Sequence, residues 1–132
     1  MQRMLTYLIG ATLLAGCATQ RKQPEKEYWI PSYKQAIIIS ALKQAIPKVD
    51  SMDSTPATTF DLIGDYRFKV EADSIGKAFY QTIKPAPVFR EQGWKPVLKS
   101  VLEYYSSKEL DRWAKAAYKR YKIARKATEA LY

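Results

Sequence analysis

The sequence predicts an α-rich α+β domain of about four helices and one β-hairpin. Three observations carry this. Residues 107–131 place apolar side chains at helical spacing with no Gly or Pro to interrupt them. Residues 33–46 hold a dense run of Ile, Leu and Ala that Pro47 closes. Between them, residues 58–71 alternate apolar and polar side chains, the period of a half-buried strand.

The first helix is expected near 33–46. Ser32-Tyr33-Lys34-Gln35 fits the S-x-x-Q capping box, in which the first hydroxyl accepts from a free backbone N–H. Ile37, Ile38, Ile39 and Leu42 are apolar over more than one face, which suits a central, well-buried helix. The hairpin is expected near 58–71. Tyr66, Phe68 and Val70 alternate with Arg67, Lys69 and Glu71, Phe60 and Leu62 alternate likewise, and Gly64-Asp65 lies between. A three-residue loop would set Leu62 opposite Tyr66, Phe60 opposite Phe68 and Asp61 opposite Arg67, keeping one face apolar. Asp73 is a cap for a second helix near 74–84, ended by Pro85 and Pro87. A third helix is expected near 95–105, where Trp94, Val97, Leu98, Val101, Leu102 and Tyr105 form an apolar stripe.

The fourth helix, near 107–131, opens on a second capping-box match, Ser106-Ser107-Lys108-Glu109. One face collects Leu110, Trp113, Ala114, Ala117, Tyr121, Ala124, Thr128 and Leu131. The opposite face collects Lys108, Arg112, Lys115, Lys119, Lys122 and Lys126, six cations along a helix about 35–40 Å long. A solvated outer face supported by the pairs Asp111–Lys115 and Arg125–Glu129 accounts for such a stripe. A contact surface for something anionic is the second reading, and a helix lying in the membrane interface the third, though the Ala-rich apolar face better suits close packing on a neighbouring helix. The Tyr118–Lys122 stretch interleaves aromatics with bases as nucleic-acid binders do, but Tyr121 falls on the apolar face, so nucleic acid is not favoured.

The N-terminus has a separate logic. Met4 to Gly16 runs 13 residues without a charge. That suits the apolar core of a signal peptide and falls short of the about 20 residues a bilayer-spanning helix needs. It ends in Leu14-Ala15-Gly16-Cys17, followed at once by the polar Ala18–Glu27. This arrangement resembles the bacterial lipoprotein signal and its lipobox. The resemblance implies cleavage before Cys17, an S-diacylglycerol on its sulfur and an N-acyl chain such as palmitate on its new amino group. Two or more acyl chains hold a protein stably on a membrane. Ala18, where an Asp would mark inner-membrane retention, points to the periplasmic face of the outer membrane. On this division 1–16 is a signal peptide, 17–27 the lipidated cysteine and a flexible tether, and 28–132 one small periplasmic domain.

Composition narrows the chemistry. Residues 1–16 carry only Arg3; the remaining 116 residues hold 21 basic and 13 acidic side chains, a formal +8, and no histidine. A basic domain outside the cytoplasm meets anionic lipid, peptidoglycan or lipopolysaccharide, or acidic protein surfaces. With the one thiol taken up by lipid, no Cys–His or Ser–His–Asp catalytic site and no His/Cys metal site can be assembled. Ser74-Ile75-Gly76-Lys77 and Ser40-Ala41-Leu42-Lys43 match S-x-x-K, a spacing that chance supplies in a lysine-rich chain. No cofactor is expected. The expected role is a non-enzymatic accessory or assembly component of an envelope protein complex. The alternative is binding of an anionic envelope polymer through the basic helix. A direct check of the anchor is the mass of the N-terminal peptide of the protein isolated from its envelope. It is expected to begin at acylated Cys17, and Cys17→Ser is expected to leave an uncleaved, unacylated chain.

Overall fold

One helix organises the others. The structure, a computed structural model, describes residues 24–131. Its elements are α1 (Glu25–Ala45), α2 (Val49–Met52), α3 (Thr55–Ile63), α4 (Tyr66–Thr82), α5 (Val97–Tyr105) and α6 (Lys108–Glu129), with a 3-10 turn at Pro87–Phe89. The first helix packs against α3, α4, α5 and α6, the central position its two-faced apolarity predicts. The signal segment, Cys17 and the tether up to Gln23 lie outside the described residues.

Helix α1 starts eight residues before the expected Tyr33. Glu25 and Glu27 in its first turn complement the partial positive charge of a helix N-terminus. Trp29, Tyr33, Ala36, Ile37, Ser40 and Ala41 then recur at three- and four-residue spacing and are all buried. That stripe carries the helix through Pro31, which forgoes one i→i−4 hydrogen bond. Ser32 is therefore no cap; its hydroxyl donates to the Tyr28 carbonyl at 2.7 Å, one turn back.

The expected hairpin at 58–71 is not there: among the described residues there is no strand, and the domain is all-helical. The region forms α3 and α4 instead. Gly64 takes the left-handed conformation (φ 65°) that ends a helix, and the Asp65 carboxylate accepts from the Arg67 N–H at 2.9 Å, capping the next. Gly-Asp thus separates two helices rather than turning two strands. Phe68, Ala72 and Gly76 stand four apart and face the core, whereas Tyr66, grouped with Phe68 by the strand alternation, is 70% exposed. Asp73 lies inside α4, so it caps nothing; its carbonyl accepts from the Ser40 hydroxyl at 2.8 Å and its carboxylate pairs with Lys69.

The α1–α4 crossing is unusually close. A Cβ built on Gly76 would lie 2.2 Å from the Ile37 carbonyl oxygen and 2.6 Å from the Ser40 Cβ. Small residues on both sides, Ala36, Ser40 and Ala41 against Ala72 and Gly76, permit that approach. Above it sits Trp29, fully buried, stacked on Tyr33 and Tyr121, edge-on to Phe68 and tilted against Tyr118. Its indole N–H donates to the Ile63 carbonyl at 3.1 Å, tying the end of α3 to α1.

The last two helices lie close to the expected ranges. Pro96 precedes α5 rather than sitting in its first turn. Ser107, not Ser106, caps α6, accepting from the Leu110 N–H at 3.1 Å. Of the apolar stripe expected on α5, only Val101 is buried. Tyr104 stacks on Phe79 of α4, while Leu98 and Leu102 face outward. Gly76→Ala should lower stability by about 2 kcal/mol or more, since overpacking a close crossing outweighs the about 1 kcal/mol that alanine gains over glycine in a helix. Chemical denaturation of the two proteins checks this.

Candidate functional site

Three places on the domain could carry function: the acidic clamps that hold α6, the outer face of α6, and the apolar surface around α5. Leu110, Ala114 and Ala117, all fully buried, seat α6 against the core. The small volume of the two alanines lets the helix lie close to α1, antiparallel to it: Lys34 in mid-α1 meets Asp111 at 2.5 Å, while Glu25 at its start meets Lys122 at 3.2 Å.

Glu25 is the most heavily bonded carboxylate among the described residues. It accepts from Tyr118, Tyr121, Lys122 and Arg125, all on α6. Burial alone would raise its pKa, but the hydrogen bonds from Lys122 and Tyr121 and the charges of Arg125 and Lys122 hold it below the usual carboxylate value. Glu71 of α4 forms the second clamp. It takes both Arg120 guanidinium nitrogens, at 2.8 and 2.6 Å, and the Tyr33 hydroxyl at 2.5 Å. Burial again pushes its pKa up, and Arg120 and Tyr33 more than reverse it. Burial and the neighbouring Glu71 raise the Tyr33 phenol well above its ordinary value. Both carboxylates are therefore weaker bases than free ones, the opposite of what a general base at neutral pH requires. Their geometry is that of structural clamps.

The basic stripe divides. Lys122 turns to Glu25. Asp111 makes its ion pair with Lys34 and feels the charge of Lys115 more weakly, whereas Arg125 and Glu129 pair as expected. Lys108, Arg112, Lys115, Lys119 and Lys126 remain exposed, and none has a carboxylate at ion-pair distance among the described residues. Tyr121 packs on Trp29 and Phe68, which removes it from any outward aromatic array. Cys17, the proposed lipidation site, lies outside the described residues.

Ten tyrosines and three tryptophans imply aromatic surface to spare, but spacing along the chain did not locate it. Trp94 is 63% exposed, Leu98 66% and Leu102 61%; Val88 and Phe89 are exposed as well. Phe89 and Trp94 rest on each other with ring centroids 5.2 Å apart, and the Trp94 carbonyl accepts from the Ala86 N–H, closing the loop between α4 and α5. Both edges of α5 are apolar, so spacing could not tell which would face α1. A smaller apolar hollow of about 270 Å³ lies between α1 and the α2–α3 turn, lined by Ile38, Ile39, Leu42, Val49, Pro56 and Tyr105.

No family model, curated protein or solved structure matches the chain. Among the described residues, no helix is long and apolar enough to cross a membrane, and no three acidic, His or Cys side chains cluster as metal ligands would.

The clamps set an acid sensitivity. A carboxylate whose folded pKa lies below its unfolded value of about 4.3 stabilises the fold above that pH and loses the contribution as pH falls through the folded value. Stability should therefore fall as the pH drops below about 4. Glu25→Gln and Glu71→Gln should each lower neutral-pH stability by roughly 1–2 kcal/mol and flatten the acid limb. Urea midpoints measured from pH 3 to 7 provide the comparison.

Proposed function

We propose that the chain is a lipoprotein held at the periplasmic face of the outer membrane, where it acts as a non-enzymatic accessory or assembly component of an envelope complex of the secretion, pilus or conjugation type. The lipobox-like Leu14-Ala15-Gly16-Cys17 supports the anchor. The observation that supports partner binding is the outward apolar run Val88, Phe89, Trp94, Leu98 and Leu102.

Isolated exposed apolar side chains are ordinary on protein surfaces; a concentration with a Trp and a Phe in mutual contact is typical of binding surfaces. None of these side chains belongs to the buried core; Val101, Tyr104 and Ile83 carry the inward packing of this region. The clamped acids, by contrast, are engaged in holding the fold together. The surface is suited to a protein partner with a complementary apolar groove, and the tether would keep it at the membrane.

Crosslinking in cells followed by a high-salt pull-down is the test. The wild type should retain one stoichiometric protein partner. Trp94→Ala combined with Leu98→Ser and Leu102→Ser should reduce recovery at least about tenfold, given that a central aromatic commonly contributes 2 kcal/mol or more, with an unchanged helical circular dichroism spectrum. Undiminished recovery by the triple variant would remove the α5 surface from the interface.

A further inference from the structure

The outer face of α6 and the route by which the chain reaches the fold fit together. At 100° per residue, Lys108, Arg112, Lys115, Lys119 and Lys126 fall within an arc of about 60° on the helix. They span 19 residues, about 27 Å of helix axis. No acidic residue of α6 lies in that arc: Glu109 falls outside it on one side, Glu129 and Asp111 on the other, with Asp111 paired to Lys34 and close enough to act on Lys115. The result is a one-signed strip on the side of the helix opposite Leu110, Ala114 and Ala117.

The chain enters the domain beside this strip. Glu25, the first residue of α1, is bonded to Tyr118, Tyr121, Lys122 and Arg125, so the segment leading back to Cys17 departs from the flank of α6. From Cys17 to Glu25 is eight residues, a reach of at most roughly 26–29 Å. A lipid on Cys17 would therefore keep this end of α6 within that distance of the bilayer. Leu110, Ala114 and Ala117 are buried, and the exposed Trp113 and Ile123 of α6 fall outside the cationic arc, so the strip itself carries no apolar side chain to insert among acyl chains.

We propose that α6 docks lengthwise, through Lys108, Arg112, Lys115, Lys119 and Lys126, on the anionic phospholipid headgroups of the membrane that holds the Cys17 anchor. This rests on the lipoprotein reading above. Charge complementarity supplies the attraction, and the short span from Cys17 to Glu25 supplies the proximity. The same proximity favours headgroups over a soluble or cell-wall polymer. Docking in this way orients the domain, fixing which of its other surfaces faces away from the bilayer.

The test uses the full acylated protein, reconstituted in vesicles of phosphatidylcholine alone or mixed with phosphatidylglycerol. An amine-reactive reagent followed by mass spectrometry reads each lysine separately. Lys108, Lys115, Lys119 and Lys126 should react at least about threefold more slowly on the anionic vesicles, and high salt should erase the difference. Lys77, exposed on α4 away from the strip, should be unaffected. Equal reactivity of the strip lysines on both vesicles would overturn the proposal, as would equal slowing of Lys77. Slowing by soluble peptidoglycan fragments but not by anionic vesicles would overturn it in favour of polymer binding. An unacylated Cys17 peptide would overturn the anchor itself, whereas an acylated chain with unprotected lysines would overturn only the orientation.

Discussion

The structure depends on how near α4 comes to α1. With no side chain at Gly76, the backbone of one helix lies against the Ile37 carbonyl and Ser40 of the other. That approach brings the Ser40 hydroxyl within 2.8 Å of the Asp73 carbonyl and the Tyr33 hydroxyl within 2.5 Å of Glu71. Once Glu71 is placed, it receives Arg120 and so helps to hold α6. Phe68 is likewise brought edge-on to Trp29 and to Tyr121, completing a three-ring contact with them. Spread the two helices by one methyl group and each of these contacts lengthens together. Close packing makes such a crossing nearly all-or-none.

Much of this was legible in the sequence. The last helix and the buried part of its inward face, Leu110, Ala114 and Ala117, followed from spacing, although Trp113, Thr128 and Leu131 on the same expected face are exposed; the two-sided apolarity of residues 37–42 correctly marked α1 as central. What misled was residues 58–71. Tyr66, Phe68 and Val70 alternate like a strand, but Phe68, Ala72 and Gly76 also stand at helical spacing. Over a short window both periods fit. The decision rests on Gly76, whose value lies in being absent from the gap between two helices, and a missing side chain leaves no periodic trace. The early start of α1 was hidden for a related reason. Pro31 and Ser32 read as a boundary, yet the burial of Trp29 and Tyr33 outweighs one lost hydrogen bond.

The charged groups divide along the same physical line. Where a cation of α6 falls beside α1 or α4, it meets an acid and becomes part of the framework, as Lys122, Arg125 and Arg120 do. Where it falls on the far side, it stays solvated, as the strip from Lys108 to Lys126 does. The sequence showed the count and spacing of these charges; their division required the positions of Glu25, Lys34 and Glu71, which come from elsewhere in the chain. The apolar surface of α5 follows the same logic, since Val101 and Tyr104 occupy the available inner positions.

The clamp at Glu25 also governs the order in which the domain can form. Glu25 and Arg125 are separated by 100 residues, and Trp29 meets Tyr118 and Tyr121 across nearly as many. As the chain emerges from a ribosome or a translocation pore, α1 can pair with α3 and α4 while α6 is still missing. In that interval one side of Trp29 lacks its cover. Closing so long a loop is entropically slow relative to local helix pairing. The fold is thus sealed by α6, and α1 remains a half-covered, adhesive surface until that helix has arrived.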